Sequence, residues 1–188
     1  MNSLSAPENR KKPLSRAGVR PMLSAALMIA LIAVFSQIAL PLPLVPMNFA
    51  LLAVFLTGFV LPRRWALIAV GAYLFMGTLG LPVFSGLRGG PQALFGSTGG
   101  YLLGYFLSVS VIVLLRDRAV LFYHRFLLSL LALLACYIPG TLWLMMLTGR
   151  TLHQVLPLAV YPFVPGDLLK CLLAATLSAR LQALIGLR

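Results

Sequence analysis

"RDRAVLFYHRFLLSLLALLACYIPGTLWLMML", residues 116–147, places three arginines in its first ten positions and then runs twenty-two residues without a formal charge. A bilayer core about 30 Å thick takes roughly 20 apolar residues as a helix. The second part therefore reads as a membrane span, and the first as a basic loop at its end. The rest of the chain repeats the pattern: of 188 residues, 61% are hydrophobic and 10% charged. A water-soluble domain needs far more polar surface. The fold class is an all-α integral membrane protein, with six transmembrane helices at about 22–40, 47–61, 65–80, 98–115, 126–147 and 164–184. The second and third runs are short and must stand upright or end within the interface.

The net charge is +12. Nucleic acid would be bound by a continuous basic stripe, but here the basic residues separate apolar runs, so they read as topology signals. Arg10, Lys11, Lys12, Arg16, Arg20, Arg63, Arg64, Arg116, Arg118, Arg125, Arg180 and Arg188 fall on one side, against Arg88, Arg150 and Lys170 on the other. Basic loops stay in the cytoplasm, so both termini are expected there. Residues 1–20, polar and broken by Pro7 and Pro13, are expected as a disordered tail before a membrane domain at 21–188. The run after the tail outlasts the apolar part of a signal peptide and reads as a retained helix. Cys136 and Cys171 have no CxxC partner and read as small buried hydrophobes.

This topology places "PLPLVPMN", "LPVFSGLRGGPQALFGSTGG" and "GRTLHQVLPLAVYPFVPGD" outside, with nearly all the remaining polar chemistry. Asp167 and Lys170 in "YPFVPGDLLK" share one helix face at spacing i, i+3. They make either a ligand site or a mutual ion pair, since ionisable groups in a membrane are costly. Pro165 and Gly166 fit a helix start, with Gly166 near the N-cap and Asp167 in the favoured first turn. The glycine-rich loop carries Arg88, Gln92, Thr98, Gly99 and Tyr101 in or beside it. Its apolar residues Leu81, Pro82, Val83, Phe84, Leu94 and Phe95 point to a docked lid, and no Gly-Lys-Ser/Thr follows that would make it a nucleotide loop. Asn48 faces an outer cavity or caps the second span. Ala26 and Ala30 form a small-xxx-small pair that lets helices approach, within the bundle or against a partner. Trp65, Trp143, Tyr123 and Tyr161 lie near span ends as interfacial anchors. His124 and His153 fall on opposite sides, so no shared metal site is expected. With Glu8, Asp117 and Asp167 scattered, and neither HExxH nor GxSxG present, an enzyme is not expected.

"LPLVP", "GLPVFSG", "TGGYLLGY" and "PGDLLK", in this order, resemble the BioY family, the biotin-specific substrate-binding components of energy-coupling factor (ECF) transporters. The resemblance covers roughly residues 22–185, with Ser97 where the family usually has Pro, and Asn48 and Ala50 where Thr and Gln are common. It implies a six-helix bundle in the bacterial cytoplasmic membrane, with a cavity near the outer face and no cofactor of its own. It also implies a transmembrane coupling protein and two ATPases as partners, which would dock on Ala26 and Ala30. Biotin carries a carboxylate tail and a ureido ring that donates and accepts hydrogen bonds. Asp167, Lys170, Arg88, Asn48, Thr98, Gly99, Tyr101 and Gln92 are the implied binding residues, without deciding which end of biotin each meets. Another vitamin, or a stand-alone facilitator, are the alternatives.

Overall fold

Every apolar run holds a helix in the computed structural model, which describes residues 16–40 and 45–185. The chain runs α1 (Arg16–Gln37), β1 (Ala39–Leu40), β2 (Met47–Asn48), α2 (Ala50–Val60), α3 (Arg63–Thr78), α4 (Pro91–Phe95), α5 (Gly99–Leu115), α6 (Phe122–Thr148), α7 (Leu152–Ala159) and α8 (Val164–Ile185). A 3-10 turn at Arg116–Arg118 follows α5. Residues 1–15 of the expected tail lie outside the described residues, as do the first three of "LPLVP" and the last three of the chain. The helix starts earlier than expected, at Arg16, because arginine is a good helix former and extends the apolar run backwards.

α2 is the hub. It packs against α1, α3, α5 and α8, and all eleven of its residues are buried. Its composition follows from that position: a helix apolar all round is one surrounded by protein or lipid. Eleven residues extend about 16 Å, far short of a bilayer core. The six-span count therefore does not follow from helix length. Val19–Gln37, Gly99–Arg118 and Phe122–Thr148 are long and apolar enough to cross, and Leu152–Ala159 with Val164–Ala183 makes a fourth if that pair, bent by 60°, counts as one span.

α5 and α6 pack along most of their lengths because glycines remove side chains from the seam. A Cβ on Gly104 would lie 2.8 Å from the Cys136 carbonyl oxygen, and one on Gly100 would lie 2.4 Å from the Trp143 Cβ. The helices leave two distinct ends. One is basic, and there the half-buried Arg116 donates to the carbonyls of Gly58, Phe59 and Leu61. These acceptors at the end of α2 have no intrahelical partner, so the arginine acts as a C-terminal cap. The other end carries the hairpin, the glycine-rich loop and the start of α8.

Candidate ligand-binding site

Asp167 and Lys170 are 3% and 2% exposed, so both charges are buried in protein. Asp167 lies in the first turn of α8, as the Pro-Gly-Asp sequence predicted, although the helix already begins at Val164. Lys170 Nζ donates to Asp167 Oδ1 at 2.5 Å, and Tyr137 Oη donates to Asp167 Oδ2 at 2.6 Å. The lysine ammonium also lies 5.4 Å from the centre of the Phe49 ring. The carboxylate thus has a partner on each oxygen. The ammonium has Asp167 as its one hydrogen-bond acceptor among the described residues, and a lysine can donate in more directions than that. Gly166 lets the hairpin close over this pair: a Cβ there would meet the Met47 Cε at 1.8 Å.

Asn48 combines both roles expected of it. Its Oδ1 accepts the Ala50 N–H at 3.1 Å, capping α2, and accepts the Tyr105 hydroxyl at 3.1 Å. It stands between two narrow lobes of about 40 Å³ each, whose walls share Asn48, Tyr101 and Tyr105. Tyr137, Asp167 and Lys170 line one lobe, and Tyr73, Arg88 and Thr98 line the other. Aromatic walls with a few convergent polar groups are the make-up of a small-molecule site. Nothing here resembles a nucleophile with its base, and among the described residues no three of His, Cys, Asp or Glu converge as metal ligands.

The glycine-rich loop is held down as a lid. Gln37, at the end of α1, donates to the carbonyls of Val83 and Phe84 at 3.3 and 3.1 Å and accepts the Leu87 N–H at 2.9 Å. Phe84 is buried edge-on against Tyr73, in a niche that a side chain on Gly77 would fill. Leu81, Pro82 and Phe95 were expected to dock as well, but they are exposed. Trp143, expected as an interfacial anchor, instead donates Nε1–H to the Gly96 carbonyl at 2.9 Å and pins the far end of the loop to α6. The loop borders one lobe and the start of α8 the other.

Asp167, Lys170, Asn48, Tyr101, Thr98 and Arg88 are thus gathered around one cavity, Arg88 with an exposed side chain. Gln92 and Gly99 do not line it. Gln92 is exposed and donates to the Gly89 carbonyl at 2.9 Å, which steadies the loop. Gly99 provides space, since a Cβ there would lie 1.6 Å from the Leu94 carbonyl oxygen. Tyr105, Tyr137, Gln37 and Phe49 were missed by sequence reasoning, since nothing in their spacing sets them apart from the apolar runs around them. Ala26 and Ala30 are exposed on the outer face of α1, away from the cavity.

The BioY family model matches residues 7–186. The chain belongs to the BioY family. Members of this family are transporters, not enzymes, and the apolar helices agree with a membrane protein. The biotin transporter BioY of Thermotoga maritima is 34% identical over 166 residues, 88% of this chain and 98% of that protein. A probable biotin transporter BioY of Pyrococcus horikoshii is 33% identical over 84% of this chain and 93% of its own length. BioY2 of Lactococcus lactis, a biotin transporter, is 36% identical over 79% and 82%. The crystal structure of an S-component for biotin from an ECF-type ABC transporter shares the fold, with a TM-score of 0.83 at 23% identity over 91% of this chain and 95% of that one.

Proposed function

We propose that this chain is the biotin-binding membrane subunit of an ECF-type transporter in the bacterial cytoplasmic membrane. It spans the membrane six times with both termini inside. It takes biotin at the outer face, and a coupling protein and two ATPases that dock on Ala26 and Ala30 drive release inside. The chain holds no cofactor; ATP is used by the partners. The observation that carries this reading is the buried Lys170 beside Asp167, an ammonium with donors to spare in an aromatic cavity. Relatives named as biotin transporters and the twelve-to-three bias of basic residues support it.

The ureido ring is the better partner for Lys170 and Asp167. It is neutral, so it leaves the buried pair balanced, whereas a carboxylate would add an uncompensated buried charge. Its carbonyl accepts from Lys170 and its N–H donates to Asp167. The carboxylate tail then reaches Arg88, whose fork pairs with it in a bidentate manner near water. Two lobes of about 40 Å³ each are too tight for the whole ligand, so the lid yields on entry.

Uptake of labelled biotin into cells with and without the coupling protein and ATPases tests the assignment. ATP-dependent uptake that needs the module, and that Ala26→Leu with Ala30→Leu abolishes while biotin binding persists, is the expected result. Full uptake without the module would make the chain a stand-alone facilitator.

A further inference from the structure

At the basic end, opposite the ligand cavity, the start of α1, the end of α2, the start of α3 and the segment after α5 enclose a basin of about 850 Å³. Arg20, Arg63, Arg64, Arg116 and Arg125 line it together with a single acid, Asp117. Basic residues that served only to orient the chain would need no common geometry, being felt as loop charge. Here they converge on one concavity.

Their partners divide them. Arg125 is committed to the bundle, donating to the Ala119 carbonyl, Ser178 Oγ and Gln182 Oε1. Arg63 pairs with Asp117, both exposed. Arg116 caps α2 through Nη1 alone, so Nη2 still has donors to offer. Arg64 and Arg20 are exposed, and neither forms an ion pair among the described residues. Gln182 lines it as well, donating to the Phe59 carbonyl, while Phe59 and Val60 are themselves buried. The apolar surface it presents is that of the half-buried Trp65 and the exposed Val120, with Leu121 and Phe122 exposed beside it.

We propose that this basin binds the phosphate of an anionic phospholipid headgroup, with Arg20, Arg64 and Arg116 on the phosphate oxygens and the apolar walls against the glycerol and upper acyl chain. Planar guanidinium forks suit phosphate oxygens. A free phosphate would gain nothing from Trp65, Val120 and the neighbouring Leu121 and Phe122, whereas a lipid uses both the basic and the apolar surface. The site leaves biotin binding alone, because it lies at the other end of the bundle.

The test is a thermal-melt titration of the purified full chain in neutral detergent with dioctanoyl phosphatidylglycerol. Dioctanoyl phosphatidylcholine, with the same chains and a neutralised headgroup, and inorganic phosphate are run in parallel. Phosphatidylglycerol is expected to raise the melting midpoint saturably and phosphatidylcholine is not. Arg20→Gln with Arg64→Gln, at exposed positions outside the packed core, should move half-saturation to about ten-fold higher lipid or beyond. Arg116→Gln uncaps α2 and can fail to fold, so the exposed pair carries the test. An equal effect of phosphatidylcholine, or a double variant that titrates like the parent, would overturn the proposal. Inorganic phosphate reproducing the rise at the same concentrations would overturn the lipid assignment. Unchanged lipid titration in the double variant with lost binding of the coupling protein would make the basin a protein-docking site instead.

Discussion

Replacing Lys170 alone leaves the Asp167 carboxylate buried with Tyr137 but no cation. Breaking a buried pair from one side costs about 3–5 kcal/mol, while replacing both charges by apolar groups of similar size is often neutral. Lys170→Met is therefore expected to melt well below the parent, and Asp167→Leu with Lys170→Met to recover most of the loss. Biotin binding should stay absent in both. If the double variant binds biotin normally, the pair only stabilises the fold. Arg88 is predicted to act differently, since its exposed side chain holds no part of the core together. Arg88→Ala should weaken binding of biotin by about ten-fold, the worth of a charge-assisted hydrogen bond near water. It should leave biotin methyl ester nearly untouched. An equal loss for both would take the carboxylate away from Arg88.

Among the elements, the α5–α6 seam depends on its glycines. Gly104→Val has no room beside the Cys136 backbone, and overpacking costs about 1–3 kcal/mol or more where the backbone must shift. Gly71 on α3 is the control, as an added Cβ meets its nearest neighbour, the Phe106 ring, at 3.7 Å. Gly104→Val should lower the melting midpoint by several degrees and Gly71→Ala hardly at all; equal melts would mean that the seam is loose. Six apolar runs were legible because burial of every span demands them, and all six hold helices. α4 and α7 were not, being short pieces inside segments read as loops, nor was the hairpin, whose strands Ala39–Leu40 and Met47–Asn48 lie at the ends of runs read as the first two spans. For α7 a signal existed: Thr151 and Gln154 have the spacing of a capping box, and both of its hydrogen bonds form. Asp167, Lys170 and Asn48 were legible because polar groups are rare in this chain. Tyr137, Tyr105 and Gln37 were not, because periodicity cannot tell a tyrosine whose hydroxyl meets a buried carboxylate from one that fills space.

For the whole molecule, the two ends have separate tasks. The lid, the hairpin and the start of α8 build a ligand cavity at one end, and the arginines gather at the other. α1 touches both ends: Gln37 at its end clasps the lid, Arg20 near its start lines the basic basin, and the exposed Ala26 and Ala30 lie between them. The central claim is that the cavity around Asp167 and Lys170 holds biotin. Equilibrium binding of radiolabelled biotin to the purified chain, free of any partner, tests it most directly. The prediction is saturable binding to one site at sub-micromolar ligand, abolished in Asp167→Asn and in Lys170→Ala. No binding at micromolar biotin, or unchanged binding in both variants, would contradict it.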